Sequence, residues 1–387
     1  MSTQRAIRQA GECRTTKAFG CSEGVATRSN RAERNFIFTY NITLYSVPIP
    51  PEANTPGGIW EDFIVNIITK LALAAGLATA LSSGALAQDV SGKVIGFSQI
   101  GSESGWRAAE TSVTRQQAEE RGVDLKFADA QQKQENQIKA IRGFIAQGVD
   151  AILVAPVVAT GWEDVLSEAK EAEIPVVLLD RGIDAPEDLY LTSVASDQVL
   201  EGRVAGQWLV DEVAGEDCNV VELQGTVGSS PAINRKQGFE EAIADASNVT
   251  IAQSQTGDFT RSKGKEVMEA FLKSSNGGAD ICAVYAHNDD MAVGAIQAIK
   301  DAGLAPGEDI LVVSIDAVPD IFTAIAAGEA NATVELTPNM AGPAFDALGA
   351  YWADGTMPEK FIITESKLYT AADDPQGEYE RRKDLGY

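Results

Sequence analysis

The sequence predicts an α/β protein made of two doubly wound parallel-sheet lobes joined by a hinge. From residue 93 onward, short and almost continuously apolar strands alternate with helices, as in parallel sheets covered on both faces. The alternation passes through five strands and then begins again near residue 197. The roughly 300 residues that follow residue 87 also suit two domains of ordinary size.

The two halves of this pattern define the predicted lobes. The first half has strands at 93–98, 123–128, 151–155, 175–180 and 189–194, with helices at 106–121, 134–147 and 162–172. The second half has a helix at 197–213 and strands at 219–223, 250–254, 282–286, 310–315 and 331–335. In such sheets ligands bind beyond the carboxyl ends of the strands, so two facing edges form a cleft. We expect one lobe to comprise 92–196 plus 336–364 and the other 197–335 plus 365–387, with chain crossings near 196–197, 335–336 and 367.

Residues 65–87 have the form of a cleaved signal peptide. One Lys precedes a short apolar run, and Ala85-Leu86-Ala87 supplies a cleavage site before Gln88. Residues 1–64 show neither helical periodicity nor paired strands, so we interpret them as an untranslated or wrongly assigned upstream segment. A cytoplasmic domain followed by an internal anchor is the alternative. No Cys follows the cleavage site, so we expect export to the periplasm without a membrane anchor.

The composition argues against several classes of function. A formal net charge of −25 repels nucleic acid and anionic membranes. His287 is the one histidine of the chain, which argues against a zinc site and against most catalytic triads. Neither a Walker A nor a G-x-G-x-x-G motif occurs, and the segment 101–105 has Glu where a nucleophile elbow has Ser. We therefore predict no cofactor, no metal and no catalytic residue.

Polar side chains follow the predicted strands. The segment 103–107 comes after the first strand, and Asp180 and Arg181 come after the fourth. Because the carboxyl ends of parallel strands meet at one edge of a sheet, we expect these groups to face the cleft. The corresponding groups of the second half are Asn234, Arg235, Asp258, Phe259, Arg261, Asn288, Asp290, Asp316 and Glu335.

This mixture of side chains suits a sugar. Carboxylates, amides and guanidinium groups bind hydroxyls in pairs, while Trp106 and Phe259 offer aromatic faces for a sugar ring. The opposite charges nearly cancel, which favours a neutral polyol over a phosphate or dicarboxylate. Each residue also has an ordinary structural interpretation. Asp258 and Asp290 could be helix caps, Trp106 could be a core residue, and Arg181 could belong to a surface ion pair.

Three motifs resemble one protein family. They are the segments 287–294 (HNDDMAVG), 313–316 (VSID) and 257–264 (GDFTRSKG). From about residue 93 to the C-terminus, the chain resembles the type I periplasmic sugar-binding proteins of ABC transporters, the ribose/galactose class. The longer strings at 101–110, 130–137 and 155–162 resemble the galactofuranose-binding members of that class.

The resemblance implies a set of ligand-binding residues. One departure from the ribose binders is visible, because Trp106-Arg107 stands where they have two successive Phe residues, and this argues against ribose itself. The implied ligand-binding residues are Glu103, Ser104, Gly105, Trp106, Arg107, Asp180, Arg181, Arg235, Phe259, Asn288, Asp316 and Glu335.

The resemblance also implies a function. A chain of this family is expected to be a monomer that binds a neutral monosaccharide, galactofuranose above all, and docks on an ABC permease with its cytoplasmic ATPase. Three alternatives remain: a chemosensory sugar carrier, a periplasmic sugar-active enzyme, and the effector domain of a LacI-type repressor. The last would need an N-terminal helix-turn-helix, which residues 1–64 do not resemble, and a signal peptide contradicts it.

Cys218 and Cys282 are expected to form a disulfide. They lie near the starts of the first and third strands of the second lobe, which are neighbours in a sheet of order 2-1-3-4-5. Each lies six residues before a residue at the carboxyl end of its strand, so both fall at the same height. An oxidising periplasm favours the bond, and two buried free thiols are the alternative.

Overall fold

The computed structural model describes residues 90–384. The predicted upstream segment 1–64 and signal peptide 65–87 lie outside the described residues. Within residues 90–384, every helix is too short or too polar to cross a lipid bilayer.

The described chain alternates strands and helices along most of its length. The strands are β1 (Val94–Gln99), β2 (Asp124–Asp129), β3 (Ala151–Val154), β4 (Val176–Leu179), β5 (Thr192–Ser196), β6 (Cys218–Gln224), β7 (Val249–Thr256), β8 (Ala283–Ala286), β9 (Leu311–Asp316), β10 (Ala332–Glu335), β11 (Phe361–Thr364) and β12 (Leu368–Thr370). The helices are α1 (Gly105–Glu120), α2 (Gln134–Gln147), α3 (Glu163–Glu171), α4 (Gln198–Val213), α5 (Ser230–Ile243), α6 (Arg261–Ser274), α7 (Asp289–Asp301), α8 (Pro319–Ala326), α9 (Ala341–Asp354) and α10 (Pro375–Arg382). Single 3₁₀ turns occur at Glu187–Leu189, Asn276–Gly278 and Ala371–Asp373.

The strands form two six-stranded sheets, which confirms the predicted α/β architecture of two lobes. The first sheet has the order β11-β5-β4-β3-β1-β2 and the second the order β12-β10-β9-β8-β6-β7. All neighbouring strands are parallel except β10 and β12. The chain passes between the sheets after β5, after β10 and between β11 and β12.

Strands β11 and β12 correct the prediction of five strands in each sheet. β11 adds a parallel edge strand beside β5, and β12 adds an antiparallel edge strand beside β10. Each is only three or four residues long and partly exposed. A segment this short, with one edge open to solvent, lacks the apolar run that marks a central strand.

Both faces of each sheet carry a packed apolar layer. Along β3, Leu153 joins the cluster on one face, whereas Ile152 and Val154 join the cluster on the other. Every residue of β3 and β4 is buried. This two-sided burial explains why the central strands are continuous apolar runs, and it leaves polar side chains to the strand ends.

The structure contains the predicted bridge between Cys218 and Cys282, whose Cα atoms are 5.1 Å apart. Cys218 opens β6 and Cys282 immediately precedes β8, and these two strands are parallel neighbours. The bridge therefore joins the amino ends of the strands, at the opposite end of the sheet from the cleft.

Helices α4 and α5 cross at two glycines that allow their backbones to touch. A Cβ atom on Gly202 would lie 2.0 Å from the carbonyl oxygen of Arg235, and one on Gly238 would lie 1.9 Å from the carbonyl oxygen of Val199. Real Cβ atoms do not approach a backbone oxygen this closely, so the two helices could pack together in this way only with glycine at both positions.

We expect Gly202→Ala to lower the free energy of unfolding by about 1–3 kcal/mol, because α4 and α5 must move apart. Urea unfolding measures this effect. Gly143→Ala is the matched control, since Gly143 also lies inside a helix and a Cβ there meets nothing closer than 4.0 Å. The control should be neutral or slightly stabilising. Equal stability of the two variants would contradict the packing argument.

Candidate functional site

A closed cavity lies between the carboxyl ends of the two sheets. Both lobes contribute to it: side chains follow β1 and β4 in the first lobe and β7, β8 and β9 in the second, with others from α5 and the crossing after β10. Its polar lining residues are almost completely shielded from solvent. The lining residues are Glu103, Ser104, Trp106, Arg107, Asp180, Arg181, Pro231, Arg235, Phe259, Asn288, Asp316 and Leu336.

Ten of the twelve residues that the sequence analysis assigned to the ligand line this cavity. Gly105 and Glu335 do not. Gly105 is exposed and its backbone N–H donates to Oδ2 of Asp290 at 2.7 Å. Glu335 pairs instead with Arg382, its Oε1 lying 2.6 Å from Nη2. The apolar lining residues Pro231 and Leu336 were not predicted, because nothing in the sequence separates them from core residues.

Helix α1 places the first group of side chains. Its N-cap is Ser104, whose side chain accepts a hydrogen bond from the backbone N–H of Arg107. The next residue, Trp106, is buried, and its Nε1–H donates to the carbonyl oxygen of Leu336 at 2.6 Å. This bond fixes the indole ring against the crossing after β10, so Trp106 contributes to the cavity wall as well as to packing.

Three lining residues hold their backbones in the left-handed region, which is unfavourable for residues with a side chain. The φ angles are +63° at Asp180, +60° at Phe259 and +128° at Asp316. Such conformations persist only where the surrounding structure enforces them, and they cluster at functional sites. Each lies at the end of a strand or in the loop that follows it, and each contributes a polar or aromatic side chain to the cavity lining.

Arg107 is surrounded by three carboxylates. Its Nη2 lies 2.5 Å from Oδ2 of Asp180, its Nε lies 3.3 Å from Oε1 of Glu103, and its Nη1 donates to Oε2 of Glu110. Burial acts against the charged guanidinium, but the three carboxylates outweigh it and raise the pKa of Arg107. Arg107 is therefore a fixed positive charge in the first lobe.

Arg181 makes fewer hydrogen bonds than Arg107 does. Its Nη1 donates to the carbonyl oxygen of Val157 at 2.9 Å, and its guanidinium lies 5.1 Å from the centre of the Phe259 ring in the other lobe. Burial, followed by repulsion from Arg107, lowers the pKa of Arg181 to about 10, so it stays protonated at neutral pH. Its Nε makes no hydrogen bond within the described residues.

The second lobe supplies the opposite wall. Nε of Arg235 lies 2.8 Å from Oε2 of Glu201, and its Nη1 lies 2.5 Å from the carbonyl oxygen of His287. Asn288 caps α7 through its Oδ1 and donates from Nδ2 to the carbonyl oxygen of Phe259 at 3.2 Å. A Cβ on Gly225 would overlap the Phe259 ring at 1.9 Å. That glycine therefore makes room for the aromatic face.

Two buried carboxylates behind the arginines were not predicted. Glu110 and Glu201 are fully buried and lie outside the cavity lining. Burial raises the pKa of both groups, although each contacts an arginine. The helical spacing of three residues from Arg107 could have indicated Glu110. Glu201 and Arg235 lie on different helices, so no local spacing reveals that pair.

Direct contacts between the lobes hold the cleft closed. Besides the bond from Gly105 to Asp290, the backbone N–H of Gly182 donates to Oγ of Ser230 at 2.9 Å. The backbone N–H of Ala159 also donates to the carbonyl oxygen of Gly228 at 2.9 Å. Asp290 thus joins the two lobes, whereas the helix cap of α7 is Asn288.

The chemistry of the lining suits binding of hydroxyl groups. His287 lies outside the lining, with its Nε2 3.1 Å from Oε1 of Glu222. Among residues 90–384, no cluster of three or more His, Cys, Asp or Glu side chains could hold a metal ion. The buried Oε2 of Glu103 and Nε of Arg181 make no hydrogen bond in the described chain, so an acceptor and a donor are available inside the cavity.

Asp289, directly behind the cavity, is a buried carboxyl with three donors. Oγ of Ser314 lies 2.5 Å and Oγ1 of Thr333 2.8 Å from its Oδ1, and the backbone N–H of Val318 lies 2.8 Å from its Oδ2. Burial outweighs these hydrogen bonds and raises the pKa of Asp289 to about 7. The folded state therefore holds this proton more tightly than the unfolded chain does.

A pH dependence of stability follows from Asp289. Its contribution is complete below about pH 4, the pKa of an unfolded Asp, and is lost as the pH rises through about 7. We expect the stability advantage of the wild type over Asp289→Asn to shrink between about pH 5 and pH 8, by at most about 1.4 kcal/mol per pH unit. Urea unfolding of both proteins across this range measures it. A constant or growing difference would contradict the prediction.

The sequence matches a known family over most of the described chain. Residues 95–355 match the family described as periplasmic binding protein domain. The chain belongs to the periplasmic binding protein family. Two α/β lobes, three crossings between the sheets and a cavity between the lobes are the structural features of this binding protein.

The similarity to individual relatives covers almost the whole length of each relative. The binding protein is 64% identical over 319 residues to the galactofuranose-binding protein YtfQ of Escherichia coli, covering 82% of this chain and 99% of that protein. It is 66% identical to a galactofuranose-binding protein of known crystal structure, with a TM-score of 0.75, covering 76% of this chain and all of the other. It is also 57% identical to the periplasmic binding protein component of the arabinose ABC transporter from Shewanella sp. ANA-3, which was solved bound to L-arabinofuranose. That match has a TM-score of 0.73 and covers 75% of this chain and 96% of the other.

Proposed function

We propose that this binding protein captures a neutral monosaccharide, galactofuranose above all, in the cavity between its lobes and delivers it to an ABC importer in the periplasm. The observation that carries the proposal is the closed cavity. It is lined by three arginines, three carboxylates, an amide and two aromatic residues, all supplied by strand ends and helix starts of both lobes.

The charge pattern supports an uncharged ligand. Arg107 contacts Asp180, and Arg235 contacts Glu201. An anionic ligand would need free positive charge, but here each of the three arginines lies within 4 Å of a carboxylate. A sugar hydroxyl instead accepts from a guanidinium and donates to a carboxylate, so it fits between such pairs.

The choice of galactofuranose rests on the relatives. Two of them are galactofuranose-binding proteins at 64% and 66% identity, and a third was solved with L-arabinofuranose, which is also a five-membered ring. Arg107, in the α1 segment, stands where the ribose binders have a second aromatic residue, and it adds a hydrogen-bond donor to the site. A furanose with a hydroxylated side chain has more hydroxyls for such a donor than ribose has.

Delivery requires that the lobes close on the sugar and open again at the permease. The three chain crossings can act as a hinge, and hinge closure around a ligand is a common motion of two-lobed binding proteins. We propose that the protein acts as a monomer and that the transmembrane permease, with its cytoplasmic ATPase, is its partner. Residues 1–87 would be absent from the mature protein, which is exported through the signal peptide at 65–87.

Calorimetry on the exported chain tests the proposal. The panel of sugars is D-galactose, L-arabinose and D-ribose. D-galactose and L-arabinose, whose solutions contain furanose forms, should bind with micromolar affinity or tighter, a binding free energy of about −8 kcal/mol. D-ribose should bind more weakly. Small-angle scattering with saturating D-galactose should show a more compact particle. Sugar recovered after incubation should be unchanged, since turnover would indicate an enzyme. If no sugar of the panel binds, or if ribose binds best, the proposed specificity is wrong.

A further inference from the structure

Two buried glutamates stand behind the cavity arginines, one in each lobe. Glu110 contacts Arg107 in the first lobe, and Glu201 contacts Arg235 in the second, and neither glutamate lines the cavity. Both glutamates are 0% exposed. The same arrangement therefore occurs independently on the two walls of the site.

Each glutamate differs in one respect from the other carboxylates around its arginine. Glu103 and Asp180, which also contact Arg107, line the cavity and are free to exchange that contact for a sugar hydroxyl. Likewise, Asp316 lines the cavity at 3.7 Å from Nη2 of Arg235. Glu110 and Glu201 lie outside the lining, so their contacts to the arginines can persist when the sugar is bound.

Glu110 is itself fixed from the strand side. Nε2 of Gln99, the last residue of β1, donates to its Oε2 at 2.9 Å and also contacts Oγ1 of Thr111 at 3.1 Å. Oε1 of Gln99 accepts from the backbone N–H of Ile100 at 2.8 Å, which fixes the amide orientation. The chain of contacts from β1 through Gln99 and Glu110 thus orients the Arg107 guanidinium.

Glu201 works across two helices. It lies on α4 and contacts Nε of Arg235 on α5 at 2.8 Å, next to the crossing at which Gly202 meets the backbone of Arg235. The carbonyl oxygen of His287 accepts from Nη1 of the same guanidinium. With Nε and Nη1 engaged, Nη2 is the part of the Arg235 guanidinium that faces Asp316 and the cavity.

We infer that Glu110 and Glu201 are positioning residues, which hold Arg107 and Arg235 in the orientation that the sugar meets. This inference rests on the proposed sugar-binding function. A guanidinium is planar and its donors form a rigid fork, so a rotation of the plane removes two hydrogen bonds at once. The glutamates therefore determine affinity without touching the ligand.

A double-mutant cycle on Glu201 and Arg235 tests the inference. D-galactose affinity is measured by calorimetry for the wild type, Glu201→Met, Arg235→Met and the double variant. We expect Glu201→Met to weaken binding about tenfold, within the range that coupled contacting residues show. Because Glu201 acts through Arg235, the double variant should bind no more weakly than Arg235→Met alone.

The double variant also guards against misfolding. Removal of one partner leaves a buried charge unpaired, whereas replacement of both with apolar side chains is often neutral for stability. Glu201→Gln keeps an oxygen that can accept from Arg235, so it should recover most of the affinity lost in Glu201→Met. A purely structural glutamate would lower the melting temperature and leave the affinity of the folded fraction unchanged.

The matched control is Glu241→Met. Glu241 lies on α5 and pairs with Arg203 on α4 at 2.5 Å, so it joins the same two helices, but on the exposed surface. Its removal should leave the affinity unchanged. Equal affinity of Glu201→Met and the wild type, or additive losses in the cycle, would overturn the inference alone. Failure of the wild type to bind any sugar of the panel would overturn the proposed function, and the inference with it.

Discussion

Asp180→Ala should weaken sugar binding by about 2–5 kcal/mol, roughly 30-fold or more. Oδ2 of Asp180 lies 2.5 Å from Nη2 of Arg107 and 3.7 Å from Nε of Arg181, and all three side chains are buried. Truncation leaves the Arg107 guanidinium without this acceptor and the Arg181 guanidinium without a neighbouring carboxylate, among side chains that are almost completely buried. Calorimetry with D-galactose measures the loss.

Two further variants make this result interpretable. Asp180→Asn retains a residue type that tolerates the left-handed backbone at φ +63°, so it separates loss of charge from backbone strain. Asp184→Ala removes an exposed carboxylate from the same loop and should bind like the wild type. If Asp180→Ala binds every sugar of the panel as the wild type does, the ligand lies elsewhere.

Loss of the disulfide should destabilise the protein by up to about 4 kcal/mol. The bridge between Cys218 and Cys282 closes a loop over a sequence separation of 64 residues, and a loop of this length greatly restricts the unfolded chain. Urea unfolding of the Cys218→Ala/Cys282→Ala variant, compared with the oxidised wild type, gives the difference.

Sugar affinity serves as the control for the disulfide variant. The bridge joins the amino ends of β6 and β8, whereas the cavity lies at the carboxyl ends, so calorimetry should show an unchanged affinity. Two thiols that react with an alkylating agent in the unfolded, unreduced wild type would show that the bridge does not form. Equal unfolding free energies would show that it forms without stabilising the fold.

The position of the cleft could be predicted, because it depends on the local pattern of apolar strands and on the rule that ligands bind beyond the carboxyl ends of parallel strands. Central strands such as β3 and β4 are buried on both faces and therefore appear as apolar runs. Polar residues just beyond them, such as Asp180 and Arg181, then fall at a common edge. The same strand order made Cys218 and Cys282 neighbours.

Other features depend on contacts that sequence position does not reveal. Glu335 ends β10, as a ligand residue would, but it pairs with Arg382 from α10, 47 residues later. Gly105 stands among cavity residues, yet its N–H is taken by Asp290 of the other lobe. Strand β12 forms by antiparallel pairing with the edge of β10, a contact that the local sequence does not reveal.

The sequence by itself therefore determined the alternation of strands and helices, the disulfide and most residues around the cavity. Only the tertiary structure decided which carboxylate holds which arginine, as with Glu201 and Arg235 on two separate helices. The physical reason is the sequence separation of the interacting residues. Burial and the positions of strand ends follow from the pattern of neighbouring residues. The partner of a buried charge, in contrast, can come from any distant element that folding brings within hydrogen-bond distance.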